Sequence, residues 1–266
     1  MTLLSLSGLT RQSRFVGLCM TEEQWKSFCD FKNEFKNKIE EWKSAAPELT
    51  SLQKKAARLA KTPDYPFETP VVYNRSLDEL TIKDDIKLIV IGDNPGKDEQ
   101  LAKNNRYLVG QAGKIAEGYF RKNPELGIDF RRNVIILNKT PLHSAKTAQL
   151  KVIAKQGGEK IAALIQESQI WMAQKTAALH EALGTELWLV GYSELKDKGI
   201  FAAYRDTLKA SSSPEAWERV YVFQHFSMTR FTIDLSDVIK TGKKEKAPLE
   251  SNIHELGLLH RKEIFR

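Results

Sequence analysis

Four short runs of apolar residues occur between residues 86 and 223 of the chain. They lack the polar alternation of a strand with one solvated face, and such runs are typical of strands buried on both faces of a parallel sheet. The predicted strands are Ile86–Ile91, Asn133–Leu137, Glu186–Val190 and Val220–Phe223.

Helical periodicity separates and follows these runs. Strands that alternate with helices favour a doubly wound parallel sheet. We therefore expect an α/β fold, a three-layer α/β/α arrangement around a central four-stranded parallel sheet. The predicted helices of this region are Ala112–Arg121, Gly158–Leu183, Phe201–Leu208 and a closing helix at Leu249–Glu263.

The first part of the chain has a different pattern. Glu22–Ala45 carries aromatic and aliphatic residues at helical spacing, and Ser51–Ala60 predicts a second, shorter helix. Pro63, Pro66 and Pro70 then indicate an extended connector. We predict that residues 1–65 form a helical extension packed on the core, and that residues 66–266 form the α/β domain.

The composition is that of an ordinary globular protein with a basic excess. The 266 residues carry a net charge of +7, which favours anionic partners such as nucleic acid. No segment has the roughly 20 apolar residues of a membrane span, and Met1–Cys19 lacks a basic start ahead of its apolar stretch. These features predict a cytoplasmic monomer without membrane contact. Cys19 and Cys29 match no metal spacing, so neither metal nor cofactor is expected.

Polar residues follow the predicted strands at the point where each strand ends. Asp93 and Asn94 come after the first strand, Asn138 after the second and His225 after the fourth. Because ligands of open α/β sheets bind at the carboxyl ends of the strands, these side chains are expected to share one site. Their position alone does not identify a reaction.

Four motifs in this region resemble those of the uracil-DNA glycosylase superfamily. Gly92–Gly96 reads G-D-N-P-G, similar to G-x-N-P-G of the mismatch-specific and single-strand-selective branches and to G-E-x-P-G of the family-four branch. Arg106–Gly113 resembles the family-four segment R-P-F-V-G-x-A-G, and Ile135–Asn138 resembles L-L-L-N. His225–Arg230 is similar to the last motif, H-P-S, and the loop that follows it.

The resemblance implies a DNA glycosylase that hydrolyses the N-glycosidic bond of a flipped uracil or related deaminated base. Its partner would be DNA. The implied catalytic residues are Asn94, Asp93 and His225. The implied substrate-binding residues are Gly92, Pro95, Gly96, Tyr107, Leu108, Gly110 and Asn138. The implied DNA-binding residues are Gly113, Lys139, Ser227 and Arg230, and His143 and Lys146 are further candidates for the groove.

Some residues depart from the family pattern. The family-four iron–sulfur cysteines are missing, Phe226 replaces the Pro of H-P-S, and Leu108 occupies the place of the aromatic that stacks on uracil. Asp93 matches the family-four Glu and Asn94 the catalytic Asn of the mismatch-specific branch. Asp is the better base, whereas Asn can only orient water, and the sequence leaves both assignments open.

Three other functions are compatible with this pattern. The chain can be a superfamily member that binds nucleic acid without catalysis or acts on another lesion. It can be a nucleotide or phosphoester hydrolase on a similar sheet, although the sequence has no Walker pattern or paired-Asp cluster. It can also be an interaction protein whose N-terminal helices are the active part.

Overall fold

The computed structural model of the chain describes residues 19–227, 230–241 and 247–266. The predicted apolar N-terminus before Cys19 and the lysines at 243, 244 and 246 lie outside these ranges. No helix among the described residues is both long and apolar enough to cross a bilayer.

A four-stranded, all-parallel sheet forms the centre of the fold, as the sequence predicted. Its strand order is β2-β1-β3-β4. The α/β prediction is thus confirmed, with both ends of β1 and of β2 shifted by one or two residues. The strands are β1 Leu88–Gly92, β2 Val134–Asn138, β3 Glu186–Val190 and β4 Val220–Phe223.

Helices cover both faces of the sheet. The N-terminal pair is α1 Glu22–Ala45 and α2 Leu49–Leu59; those that follow are α3 Gln111–Lys122, α4 Gln149–Leu183, α5 Ala202–Ser211, the short α6 Pro214–Trp217, α7 Arg230–Thr241 and α8 Leu249–Ile264. Helix α4 begins well before its predicted start and is interrupted at Gly158, which has a φ of 68°. Helix α7 was not predicted.

Two hydrophobic clusters lie on the two faces of the sheet. One cluster combines the helix α1 residues Phe28, Phe35 and Trp42 with strand residues such as Ile89 and with much of α4. Thr21 starts α1 with a reciprocal capping box: the Thr21 Oγ1 accepts from the Gln24 backbone N–H, and the Gln24 Oε1 accepts from the Thr21 backbone N–H. Helix α1 thus shares its core with the sheet.

Candidate active site

The carboxyl ends of the strands open into one cleft of about 580 Å³. Four residues from four strand ends line this cleft: Asn138 at the end of β2, Asn94 in the loop after β1, Gly191 directly after β3 and His225 in the loop after β4. In a parallel sheet these ends meet along one edge, so residues distant in sequence surround the same space.

Asn138 lines this cleft and has a buried side-chain hydrogen-bond donor without a partner among the described residues. It is the last residue of β2 and only 2% exposed, and its Nδ2 has no partner among the described residues. The Asn138 side chain packs directly against Gly92. A Cβ added to Gly92 would clash with it, because it would lie 2.5 Å from the Asn138 Oδ1. Leaving a buried amide unpaired costs about 1–3 kcal/mol, so the position favours a ligand that accepts from it.

Asn94 is held in a single orientation by the loop after β2. Its Nδ2 donates to the Ser144 carbonyl oxygen at 3.1 Å, to the Ser144 Oγ at 2.9 Å and to the Pro95 carbonyl oxygen at 3.2 Å. Carbonyl oxygens only accept, so the nitrogen must face them. The Oδ1 is then the atom of Asn94 that remains to accept from a water or a ligand.

Asp93 is paired with a buried lysine beneath the cleft. The Lys139 Nζ lies 2.6 Å from the Asp93 Oδ1 and also donates to the carbonyl oxygens of Gly92 and Val190. Burial lowers the pKa of Lys139, and the Asp93 charge opposes that shift. The Lys139 side chain has no exposed surface, so its predicted contact with DNA is wrong. It instead ties together the ends of β1, β2 and β3.

His225 carries its proton on the nitrogen away from the backbone. Its Nδ1 lies 3.3 Å from the Ser227 backbone N–H and 2.7 Å from the Ser227 Oγ. A backbone N–H only donates, so Nδ1 accepts and Nε2 carries the proton in the neutral ring. Burial lowers the pKa of His225; Asp93 opposes this and Lys139 adds to it. The ring is therefore a neutral donor at pH 7.

Leu108 lines the cleft in a backbone conformation that a residue with a side chain seldom adopts. Its φ is 51°, in the left-handed region, at a cost of about 1–2 kcal/mol. The Leu108 carbonyl oxygen accepts from Arg131 at 2.7 Å. It also approaches Gly113 so closely that an added Cβ there would lie 1.5 Å away. Such backbone strain concentrates at functional sites, where surrounding contacts maintain it.

Several predicted site residues do not reach the cleft. Gly113 is buried beneath Leu108, so its predicted DNA contact is wrong. Tyr107 is fully buried and donates to the Val72 carbonyl oxygen at 2.6 Å, so it is not available to stack on a base. Gly92 and Pro95 are buried below the cleft, where they support Asn138 and Asn94 rather than touching a ligand.

The remaining predicted residues lie at the edge of the site or away from it. Gly96, Gly110, Ser227 and Lys146 line the cleft. Arg230 is exposed at the start of α7 and pairs with Asp234 at 3.3 Å. His143 is wholly buried, with its Nδ1 2.8 Å from the Pro95 carbonyl oxygen, so it does not line a groove.

Glu99 is a cleft residue to which the sequence interpretation gave no role. It is 7% exposed, its Oε2 accepts from the Gly96 backbone N–H at 3.0 Å, and Leu108 supplies a second backbone hydrogen bond. Burial raises the pKa of Glu99 to about 7. The spacing Gly96-x-x-Glu99 is the sequence signal that could have indicated this contact between the carboxylate and a backbone N–H three residues earlier. Thr147 was also missed; its Oγ1 donates to the Asp93 Oδ2 at 3.2 Å.

Charged side chains of both signs line the cleft. Asp93, Asp98, Glu99 and Glu194 all line it, together with Lys97 and Lys146. Carboxylates repel a phosphate but stabilise a cationic sugar. Within the described residues, the one group of three side chains placed to share a metal ion is Glu186, Glu250 and His254. Glu186 begins β3, so this group lies at the opposite edge of the sheet from the cleft.

No family model, curated protein or solved structure matches the chain.

Proposed function

We propose that this chain is a DNA glycosylase that removes a flipped uracil, or a related deaminated base, from DNA. The observation that carries the proposal is the convergence of three different polar groups on one cleft. These are the unpaired donor of Asn138, the free acceptor of Asn94 and the N–H of neutral His225. The motif resemblance supports the same reaction independently of their geometry.

Base recognition is assigned to Asn138. The edge of uracil presents an acceptor at O4 next to a donor at N3–H, and a carboxamide offers the complementary donor and acceptor. The buried, unpaired Nδ2 would donate to O4. Leu108 supplies an apolar surface beside the base, in the place where the family has an aromatic ring.

Bond cleavage requires stabilisation of charge on both fragments. As the C1′–N1 bond breaks, its electron pair leaves with the base, and the sugar becomes cationic. The His225 Nε2–H would donate to the O2 of the departing base, as an oxyanion donor does. The Asp93 carboxylate lies in the same cleft and favours the cation.

Water then completes the hydrolysis. The Asn94 Oδ1 would accept a hydrogen bond from the water and hold its oxygen toward C1′. The C1′–O bond forms, and the proton released passes to the base anion, giving the neutral base and an abasic sugar. We assign the positioning of water to Asn94 rather than Asp93, because both Asp93 oxygens are already engaged by Lys139 and Thr147.

A panel assay tests this function directly. Purified protein is incubated with single- and double-stranded DNA containing uracil, hypoxanthine, xanthine or a thymine mispair, and abasic-site formation is measured. Release of at least one base by the parent, with Asn94→Ala reduced about 10²-fold or more, is expected. Asn37→Ala, an exposed asparagine of α1, is the matched control. DNA binding without release from any substrate would instead favour a non-catalytic member of the superfamily.

A further inference from the structure

A second groove of about 290 Å³ lies on the connector between the N-terminal helices and the sheet. Tyr65 and Phe67 line it as a stacked pair, with ring centroids 4.3 Å apart. Lys54 and Arg58 of α2 line the same groove. We call these four side chains the aromatic ledge. The proposed chemistry of the cleft makes no use of them.

The aromatic ledge adjoins the active-site cleft. The Lys97 Nζ lies 6.0 Å from the centre of the Tyr65 ring, and Lys97 itself lines the cleft. On the other side, the Lys54 Nζ lies 5.8 Å from the centre of the Phe67 ring. Lysines therefore flank the stacked rings at both ends, and one of them, Lys97, also lines the cleft.

Partly buried hydrogen bonds fix the ledge to the loop after β1 that carries Asn94, which we call the catalytic loop. Gln100 is fully buried; its Nε2 donates to the Pro66 carbonyl oxygen at 2.6 Å and its Oε1 accepts from the Glu68 backbone at 2.7 Å. The Tyr65 hydroxyl lies 3.0 Å from the His143 Nε2. On the other side of the imidazole, the His143 Nδ1 lies 2.8 Å from the carbonyl oxygen of Pro95 in the catalytic loop. The ledge is thus held at a fixed position beside the cleft.

We infer that the aromatic ledge binds unpaired nucleotides of the DNA strand that carries the flipped base. Partly exposed aromatic rings flanked by cations are the combination that binds single strands, because bases stack on the rings while cations neutralise phosphates. Bases held in a duplex have no free face for such stacking. This inference rests on the proposed function, and it gives single-stranded DNA as the preferred substrate.

Binding of single-stranded oligonucleotides without uracil tests the ledge separately from catalysis. Stacking contributes about 1–3 kcal/mol per base, so Phe67→Ala should weaken binding about 5- to 150-fold. Phe67→Leu keeps an apolar side chain without a π-face and should lose similarly, whereas Phe67→Trp should bind like the parent. Phe67 is partly exposed, so all three variants are expected to fold, which thermal unfolding checks.

Salt dependence tests the cations of the ledge. In the double variant Lys54→Ala/Arg58→Ala, the negative slope of log K against log salt should become shallower by about 1.4. Each of the two lost phosphate contacts accounts for about 0.7 of that change. Lys26→Ala is the matched control, because Lys26 is exposed on α1 and pairs with Asp30. Unchanged affinity and slope in the ledge variants would overturn the inference, as would tighter binding of the parent to duplex than to single strands.

The two proposals fail in different ways. If the parent releases uracil and the ledge variants bind like the parent, the ledge is wrong and the glycosylase stands. If the ledge variants lose binding while the parent releases no base from any substrate, the ledge stands and the proposed reaction fails.

Discussion

His225 is the residue whose removal should affect chemistry most and binding least. Loss of one preorganised donor to a developing anion costs about 10²–10³ in rate, so His225→Ala should reduce base release by that factor. DNA affinity should hold, because phosphate contacts supply most of it. Single-turnover release and fluorescence anisotropy measure the two effects. Ser227→Ala retains the backbone N–H that sets the ring's tautomer, and it should lose far less activity. Equal rates for His225→Ala and the parent would refute the assignment.

Asn138 should determine which base is accepted. Asn138→Asp replaces the unpaired donor with an acceptor, which repels the O4 of uracil but suits the amino group of cytosine. We expect uracil release to fall about 10²-fold or more and the ratio of uracil to cytosine release to shift toward cytosine. Competing substrates in one reaction give that ratio. An Asn138→Asp protein that releases uracil at the parent's rate would show that another group recognises the base.

Glu99 should make the stability of the protein depend on pH. Its folded pKa of about 7 exceeds the unfolded value of 4.5, so between these pH values the folded state binds more protons. Its contribution is therefore retained near pH 4.5 and lost as pH rises through 7. The full loss is about 3 kcal/mol, from about 1.4 kcal/mol per pH unit.

The comparison that isolates Glu99 is between the parent and Glu99→Gln. Burial lowers the pKa values of His143 and His180 to about 4, which destabilises both proteins equally on acidification. The difference between the two proteins removes that contribution. Glu99→Gln should be more stable than the parent by up to about 3 kcal/mol at pH 8, with little difference at pH 4.5. Urea unfolding across this range measures it, and a constant difference would contradict the raised pKa.

Among the secondary-structure elements, the strands were the part most open to sequence prediction. Strands buried on both faces require unbroken apolar runs, and β3 and β4 have the predicted bounds. The start of α4 was missed because Gly157 and Gly158 break the helical pattern at the point where the helix itself is interrupted. Helix α7 was missed because its first residue, Arg230, belongs to a stretch that had been interpreted as a DNA-contacting loop.

Neighbouring residues of the motifs were harder to separate. Adjacent side chains of extended backbone point in opposite directions, so a motif at a strand end sends only some of its residues to the cleft. Asn138, at the end of β2, lines the cleft, whereas Lys139 points beneath it. Leu108 and Tyr107 differ for another reason: the backbone turns at the left-handed Leu108, which lines the cleft, while Tyr107 is buried. The sequence identifies the motif, but the direction of each side chain depends on tertiary packing.

The Asp93–Lys139 pair should stabilise the junction of three strands. Removing one partner of a buried pair leaves an uncompensated charge, so Asp93→Asn should lower the free energy of unfolding by about 3–5 kcal/mol. Adding Lys139→Met removes that charge and should restore most of the loss. Urea unfolding at pH 7 of the parent, both single variants and the double variant gives the coupling energy.

An exposed pair provides the control for this cycle. Lys26 and Asp30 lie 2.7 Å apart with side chains 77% and 56% exposed, so solvent screens their attraction and their cycle should give a coupling energy far below that of the buried pair. If the effects of Asp93→Asn and Lys139→Met simply add, the two groups do not depend on each other, and Lys139 is not what maintains Asp93 in the cleft.

At the scale of the whole molecule, the N-terminal helices and the sheet share one core. Phe35 and Trp42 of α1 contact Trp171 of α4, with ring centroids 5.8 and 5.6 Å apart. Helix α4 in turn packs against the sheet within the same hydrophobic cluster. The predicted division at residue 65 therefore does not separate two independent cores, and the two parts are expected to unfold together.

Trp42 allows that expectation to be tested. It is 1% exposed, and its Nε1 donates to the Glu167 Oε1 at 3.3 Å, so Trp42→Ala should cost about 3–5 kcal/mol of unfolding free energy. Leu59→Ala, on the exposed surface of α2, should cost less than about 0.5 kcal/mol. In a single cooperative unit, far-ultraviolet circular dichroism and the fluorescence of Trp188 in β3 change at the same urea concentration, and Trp42→Ala lowers both midpoints equally. To isolate the Trp188 signal, Trp25, Trp171 and Trp217 are replaced with Phe in both proteins and Trp42 is replaced with Phe in the parent, so that Trp188 is the one tryptophan left in either protein. An early transition that leaves the Trp188 environment intact would show that the helices are a separable extension, and the aromatic ledge would then be fixed to the catalytic loop by Gln100 and His143 alone.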